Sequence, residues 1–114
     1  MDLIIYHNPR CRKSRETLAL IEDKTSNVKI VQYLENPPDE RELKDILGKL
    51  KLKPEALLRK GEQIFKDNFK GKNFTDDEWI RIMTENPKLI ERPIVVKGNK
   101  AIIGRPPEKV LDLL

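Results

Sequence analysis

The chain has one cysteine and one histidine, and they fall four positions apart in HNPRCRKSRETL, residues 7–18. Arg10, Arg12, Lys13 and Arg15 crowd around Cys11, His7 lies across the turn-forming Asn8-Pro9, and Ser14 completes a Cys-x-x-Ser pattern. The chemistry such a group offers is that of a thiolate nucleophile. Cations within a turn favour ionised sulfur, and so do the unpaired N–H groups and positive dipole end of a helix N-terminus. Settings of this kind lower cysteine pKa values from about 8.5 to roughly 3.5–7.5. Most lone cysteines are small buried hydrophobes, but a helix start full of cations is a poor place for apolar packing. Cys11 therefore reads as a reactive thiolate. His7 and Ser14 read as residues that tune it, Ser14 by donating its hydroxyl to the sulfur from the next turn.

Competing chemistries fail on spacing. A phosphatase-type loop would place arginine where this chain has Thr17. One cysteine and one histidine cannot close a zinc site, so no metal is expected. The five glycines are scattered, which leaves no phosphate-binding glycine loop.

A thiolate at a helix start needs a strand and a loop to deliver it. Leu3-Ile4-Ile5-Tyr6 is a run of β-formers, Asn8-Pro9 breaks it, and a helical pattern follows from about Arg12 to Asp23 with Leu18 and Ile21 on its apolar side. Val28–Tyr33 is β-branched enough for a second strand. A strand, a helix and a strand in so short a span imply a right-handed parallel crossover. Asn36-Pro37-Pro38 then interrupts the chain. Asp39 with Glu42 and Thr75 with Glu78 have capping-box spacing, each ahead of a helical pattern, and Pro54 opens a shorter helix. The stretch 36–86 reads as helical, without a strand. Strands return at Ile94-Val95-Val96 and Ala101-Ile102-Ile103 around the hairpin signal Gly98-Asn99, and a final helix with Val110, Leu111 and Leu114 on one face starts near Pro106-Pro107. The order βαβ, helical block, ββα predicts a mixed α/β sheet in a single domain over 1–114, with 1–35 and 87–114 as the core and 36–86 as a helical insertion.

Composition limits the partners. With 114 residues, 38% hydrophobic, 37% charged and a net charge of +4, the chain has the profile of one soluble domain that accommodates a small anion. Its lysines between 51 and 72 are diluted by acids and leucines, and it has only three Phe, two Tyr and one Trp. That argues against a nucleic-acid interface. No apolar run is long enough to span a membrane, and Met1-Asp2 leads at once into a β-forming run, which argues against a cleaved leader. A single cysteine excludes an internal disulfide and suits a reducing cytoplasm.

The segments HNPRCxxSR with TL, YLENPP, LLRK, FTDDE, PKLIERPIVV and GRPPEKVL occur in that order over nearly the full chain. Each is weak alone. Together they strongly resemble the glutaredoxin-dependent arsenate reductase family, whose fold is thioredoxin-like. The resemblance implies an arsenate site made from Cys11 with Arg59, Arg92 and Arg105, and a cis peptide bond at Arg92-Pro93. It implies arsenate as substrate, glutathione as co-substrate, glutaredoxin as the resolving partner and no tightly bound cofactor. Arginine is apt for the cradle, because its planar fork holds tetrahedral oxyanions bidentately and stays charged. One departure from the family pattern is Arg12, where arsenate-reducing relatives commonly carry a small residue. The family also holds redox regulators without arsenate turnover. Those often carry Cys-x-x-Cys, and Ser14 here departs from that pattern.

Overall fold

The computed structural model describes residues 2–114. In chain order the elements are β1 (Leu3–His7), α1 (Arg12–Lys24), β2 (Val28–Gln32), α2 (Glu40–Leu50), α3 (Gln63–Asn68), α4 (Asp76–Glu85), β3 (Ile94–Lys97) and β4 (Lys100–Ile103). Three 3-10 segments, Pro54–Leu57, Pro87–Leu89 and Pro107–Asp112, each begin on a proline. The chain divides into two compact units, one of residues up to Asn36 with Arg92–Leu114, the other Pro37–Glu91.

The first unit is a four-stranded mixed sheet in the order β2-β1-β3-β4. β1 runs parallel to β2 and antiparallel to β3, and β3 runs antiparallel to β4. The register places Ile5 beside Ile30 on one side and Val95 on the other, and Val95 beside Ile102. Because side chains alternate across a strand, that row shares one face. Leu3, Ile5 and Val95 pack there with Ile21 of α1 and with Val110 and Leu113 near the C-terminus, flanked by Leu18, Val28 and Ile102. Lys97 pairs with Lys100 across Gly98-Asn99. Of these two turn residues Gly98 alone takes a positive φ, of 60°, which is the demand of a two-residue II′ hairpin.

The C-terminal segment forms a 3-10 turn where the sequence pattern suggests a helix face. Prolines at the N-cap and first position are compatible with a helix start, but the segment Pro107–Asp112 is only six residues long, the scale on which 3-10 geometry is common.

The second unit is built from capped helices. Asp39 accepts from the Glu42 N–H at 2.8 Å. Thr75 and Glu78 exchange both bonds of a capping box, at 3.2 and 2.9 Å. α2 ends with Lys51 in the left-handed region (φ 58°), and Leu52 N–H reaches back to the Leu47 carbonyl, a Schellman stop without its usual glycine. Phe65, Phe69, Phe74 and Trp79 form an aromatic cluster, with Phe74 edge-on to Trp79 at a centroid distance of 4.7 Å. The unit is not purely helical, since Leu58 and Ile90 make an isolated antiparallel bridge.

Candidate active site

The strand register brings the reactive loops together. β1 ends at His7, β3 begins at Ile94 opposite Tyr6, and β4 ends at Ile103 opposite Ile94. The loop after β1, the residues before β3 and the residues after β4 therefore emerge at one end of the sheet. They carry Cys11, Arg92-Pro93 and Gly104-Arg105 respectively.

Cys11 is the N-cap of α1 (φ −94°, ψ 121°) and is only 9% exposed. An Asx turn shapes its loop, with Arg10 N–H donating to Asn8 Oδ1 at 3.0 Å and Cys11 N–H to the Asn8 carbonyl at 3.0 Å. The Cys11 side chain makes no capping bond, and the first turn of α1 contains no acid. The helix thus opens with its dipole and its cations both presenting positive potential beside the sulfur.

The Arg105 guanidinium faces that sulfur, with Nη1 3.9 Å from Cys11 Sγ. The same nitrogen donates to the Arg92 carbonyl at 3.3 Å, which ties the arginine to the loop before β3. The Arg92-Pro93 peptide is cis, and so is Arg105-Pro106. Pro93 is buried at the start of β3.

His7 is buried, and its Nδ1 lies 2.6 Å from Ser14 Oγ, which also accepts from the Asn8 N–H at 3.1 Å. Ser14 is fully buried. The sequence suggests a serine bond to the sulfur, whereas these contacts of the hydroxyl run to His7 and the Asn8 backbone. The reason is local, because the end of β1 lies against the first turn of α1 and a short hydroxyl meets the imidazole there. Burial pushes the His7 pKa down from its ordinary 6.5, the Arg15 cation pushes it further down, and Glu22 opposes both. His7 consequently favours the neutral imidazole.

Arg12 points along the helix surface, its Nε 2.9 Å from Glu16 Oε1. Arg15 donates to the Pro9 carbonyl at 3.0 Å. Arg59 belongs to the second unit. Its N–H bonds the Leu89 carbonyl at 2.8 Å, and its guanidinium stands 3.6 Å from both Glu62 and Glu91. Thr17 and Gly104, which sequence reasoning passes over as a site, meet each other, with Thr17 Oγ1 3.3 Å from the Gly104 carbonyl. Their signal in the sequence is only the words TL and GRPP.

Residues 6–113 match the model of the ArsC family. The chain belongs to the ArsC family. It is 43% identical to an arsenate reductase of Haemophilus influenzae, with all of both chains covered. It is 46% identical to the uncharacterized protein YfgD of Escherichia coli (strain K12), over 96% of this chain and 94% of the relative. Among solved structures, an arsenate reductase from Vibrio cholerae superposes with a TM-score of 0.94 at 46% identity, covering 100% of this chain and 98% of the other. As an ArsC protein, the chain has the thioredoxin-like mixed α/β fold of these neighbours. In that frame Cys11 occupies the junction between β1 and α1.

Proposed function

We propose that this protein is an arsenate reductase that uses glutathione and glutaredoxin as reductants. The observation that carries the reading is the Arg105 guanidinium 3.9 Å from Cys11 Sγ at the cationic start of α1. Kinship with arsenate reductases of about 40% identity supports it. Cys11 thiolate attacks arsenic, an S–As bond forms, and hydroxide leaves as water after taking a proton. Arg105 and Arg92, with Arg59 added by the family resemblance, bind the oxyanion and offset charge that grows on its oxygens. His7 and Ser14 hold the loop and tune the sulfur. Glutathione thiolate then attacks Cys11 Sγ, the S–As electron pair passes to arsenic, and arsenite departs while Cys11 becomes a mixed disulfide with glutathione. Glutaredoxin thiolate takes up the glutathionyl group by exchange and returns Cys11 to its thiolate. No tightly bound cofactor enters this cycle, and its thiol economy fits a cytoplasmic setting.

The single cysteine makes the reading testable. Arsenite carries two more electrons than arsenate, and one thiol cannot supply them by closing its own disulfide. Purified protein with arsenate alone should yield no catalytic arsenite. Adding glutathione, glutaredoxin and an NADPH-driven regenerating system should give multiple turnovers. Quenched reactions should show one glutathione-sized mass on the wild-type protein and none on Cys11→Ser. Sustained arsenite production without any added thiol, or none with the full system, overturns the proposal.

A further inference from the structure

Thr17 is fully buried on the face of α1 that also carries Ser14 and Ile21. Its hydroxyl donates to the Lys13 carbonyl one turn back at 2.8 Å. It also donates, as the longer branch of a shared bond, to the carbonyl of Gly104, 87 positions away, at 3.3 Å. Backbone bonds hold the same stretch. The Gly104 N–H donates to the Pro93 carbonyl at 2.9 Å, and the next N–H, of Arg105, folds back to the Ile103 carbonyl at 2.9 Å. A Cβ on Gly104 would stand 2.6 Å from Thr17 Oγ1, 2.9 Å from Thr17 Cγ2 and 3.0 Å from Pro93 Cγ. No positive φ calls for glycine here; the close approach of Thr17 does. The residue immediately after this wedge is Arg105, the one whose guanidinium reaches the sulfur.

We propose that Thr17 is a positioning residue, whose side chain, seated against the bare Cα of Gly104, sets the reach of the Arg105 guanidinium to the Cys11 sulfur. Helix α1 thus holds both ends of that contact, the sulfur at its N-cap and the arginine through a threonine two turns on. The contact ends on Nη1 at 3.9 Å from sulfur, at the far limit of a bond to that atom, so a small outward shift of Gly104 removes it. This role deepens the proposed function, but it concerns thiolate reactivity and is testable without arsenate.

The test is the rate and pH profile of Cys11 alkylation by iodoacetamide, in variants made with and without Arg105→Ala. Arg105→Ala should slow alkylation near neutral pH by about tenfold, the size of one charge-assisted hydrogen bond. Thr17→Val keeps the shape and removes the hydroxyl; it should slow alkylation severalfold and move the profile to higher pH. Thr17→Ser should restore the wild-type profile, and Gly104→Ala should resemble Thr17→Val. In the Arg105→Ala background Thr17→Val should add nothing. Val110→Ala, a core truncation away from the seat, should lower thermal stability and leave the profile in place. The isosteric Thr17→Val variant decides the matter if Gly104→Ala fails to fold. An unmoved profile in Thr17→Val, an equal shift with Arg105 absent, or no effect of Arg105→Ala itself would each overturn the proposal. Absence of arsenate turnover alongside a positive coupling would leave the positioning role standing and overturn only the substrate.

Discussion

Helix α4 begins at Thr75 with a complete capping box and Asp76, Asp77 and Glu78 in its first turn. Helix α1 begins at Cys11 with no side-chain cap, and Arg12, Lys13 and Arg15 take the place of the acids. By the usual energetics the first arrangement stabilises a helix on both counts, since a good N-cap contributes about 1 kcal/mol and acids in the first turn meet the positive end of the helix dipole. The second forgoes the cap and reverses the charge. A helix start that repels its own cations is one that gains when an anion arrives, whether thiolate or oxyanion. If the proposed chemistry sits at α1, stability and chemistry fall to different helices, and substitutions at the two starts should separate them.

The largest effect is expected at Cys11. Cys11→Ser should reduce arsenite production to background, yet leave the thermal transition equal to or above that of the wild type, because serine is the better N-cap. A variant both inactive and clearly less stable would mean that the thiol serves packing after all. Next comes the cradle. Arg105→Ala should lower turnover by about 10²–10³-fold, as loss of an oxyanion donor does elsewhere. Arg92→Ala and Arg59→Ala should weaken it as well. Lysine should rescue poorly, since it keeps the charge and loses the fork; full rescue by lysine at all three positions would show that only bulk positive potential matters.

At the other helix start the consequences should be purely structural. Thr75→Ala should cost about 1 kcal/mol in urea unfolding with turnover unchanged. The Thr75 N–H and hydroxyl hold the Glu78 carboxyl below the usual carboxylate range. That contribution is present above the unfolded carboxylate pKa and is lost as pH falls through the folded value.

His7 gives a milder, pH-dependent effect. Its folded pKa is depressed, so the unfolded chain binds the proton more readily, and stability should begin to fall as pH drops below the ordinary 6.5. The melting temperature of His7→Gln should therefore change less than that of the wild type between about pH 7.5 and pH 5.5, the range that histidine titration spans. Identical slopes would remove His7 as the sensor. The smallest effect is assigned to Arg12→Ser. Arg12 is engaged with Glu16 on an exposed surface, a pair worth about 0.3–0.5 kcal/mol at most. Turnover should stay within about twofold, since a helix-surface pair of this kind places no charge over the sulfur. A marked rise would show that the guanidinium swings across the sulfur in solution.

Much of this contrast is legible in the sequence, because caps, helix starts and hairpins are local. Asp39 and Thr75 announce their helices, Gly98-Asn99 its turn, and the run of β-formers from Leu3 to Tyr6 its strand. Short or non-local features leave no such mark. α3 is six residues long with Phe65 as its only buried side chain, too little for a period to register. The Leu58–Ile90 bridge is a single pairing across the second unit. The link between Ser14 and His7 needs the end of β1 laid against α1. The seat of Thr17 on Gly104 is decided by closeness across most of the chain, and nothing near either residue signals it.

That separation also fixes when the site comes into being. β1 is an interior strand, with β2 on one side and β3 on the other. A ribosome delivers Cys11 and its cations early and the segment from Arg92 to Arg105 near the close of synthesis. For most of that interval the residues of α1 and β2 have been made, but neither Pro93 nor Arg105 has. The site proposed around Cys11 is therefore complete only after the last hairpin has closed on β1.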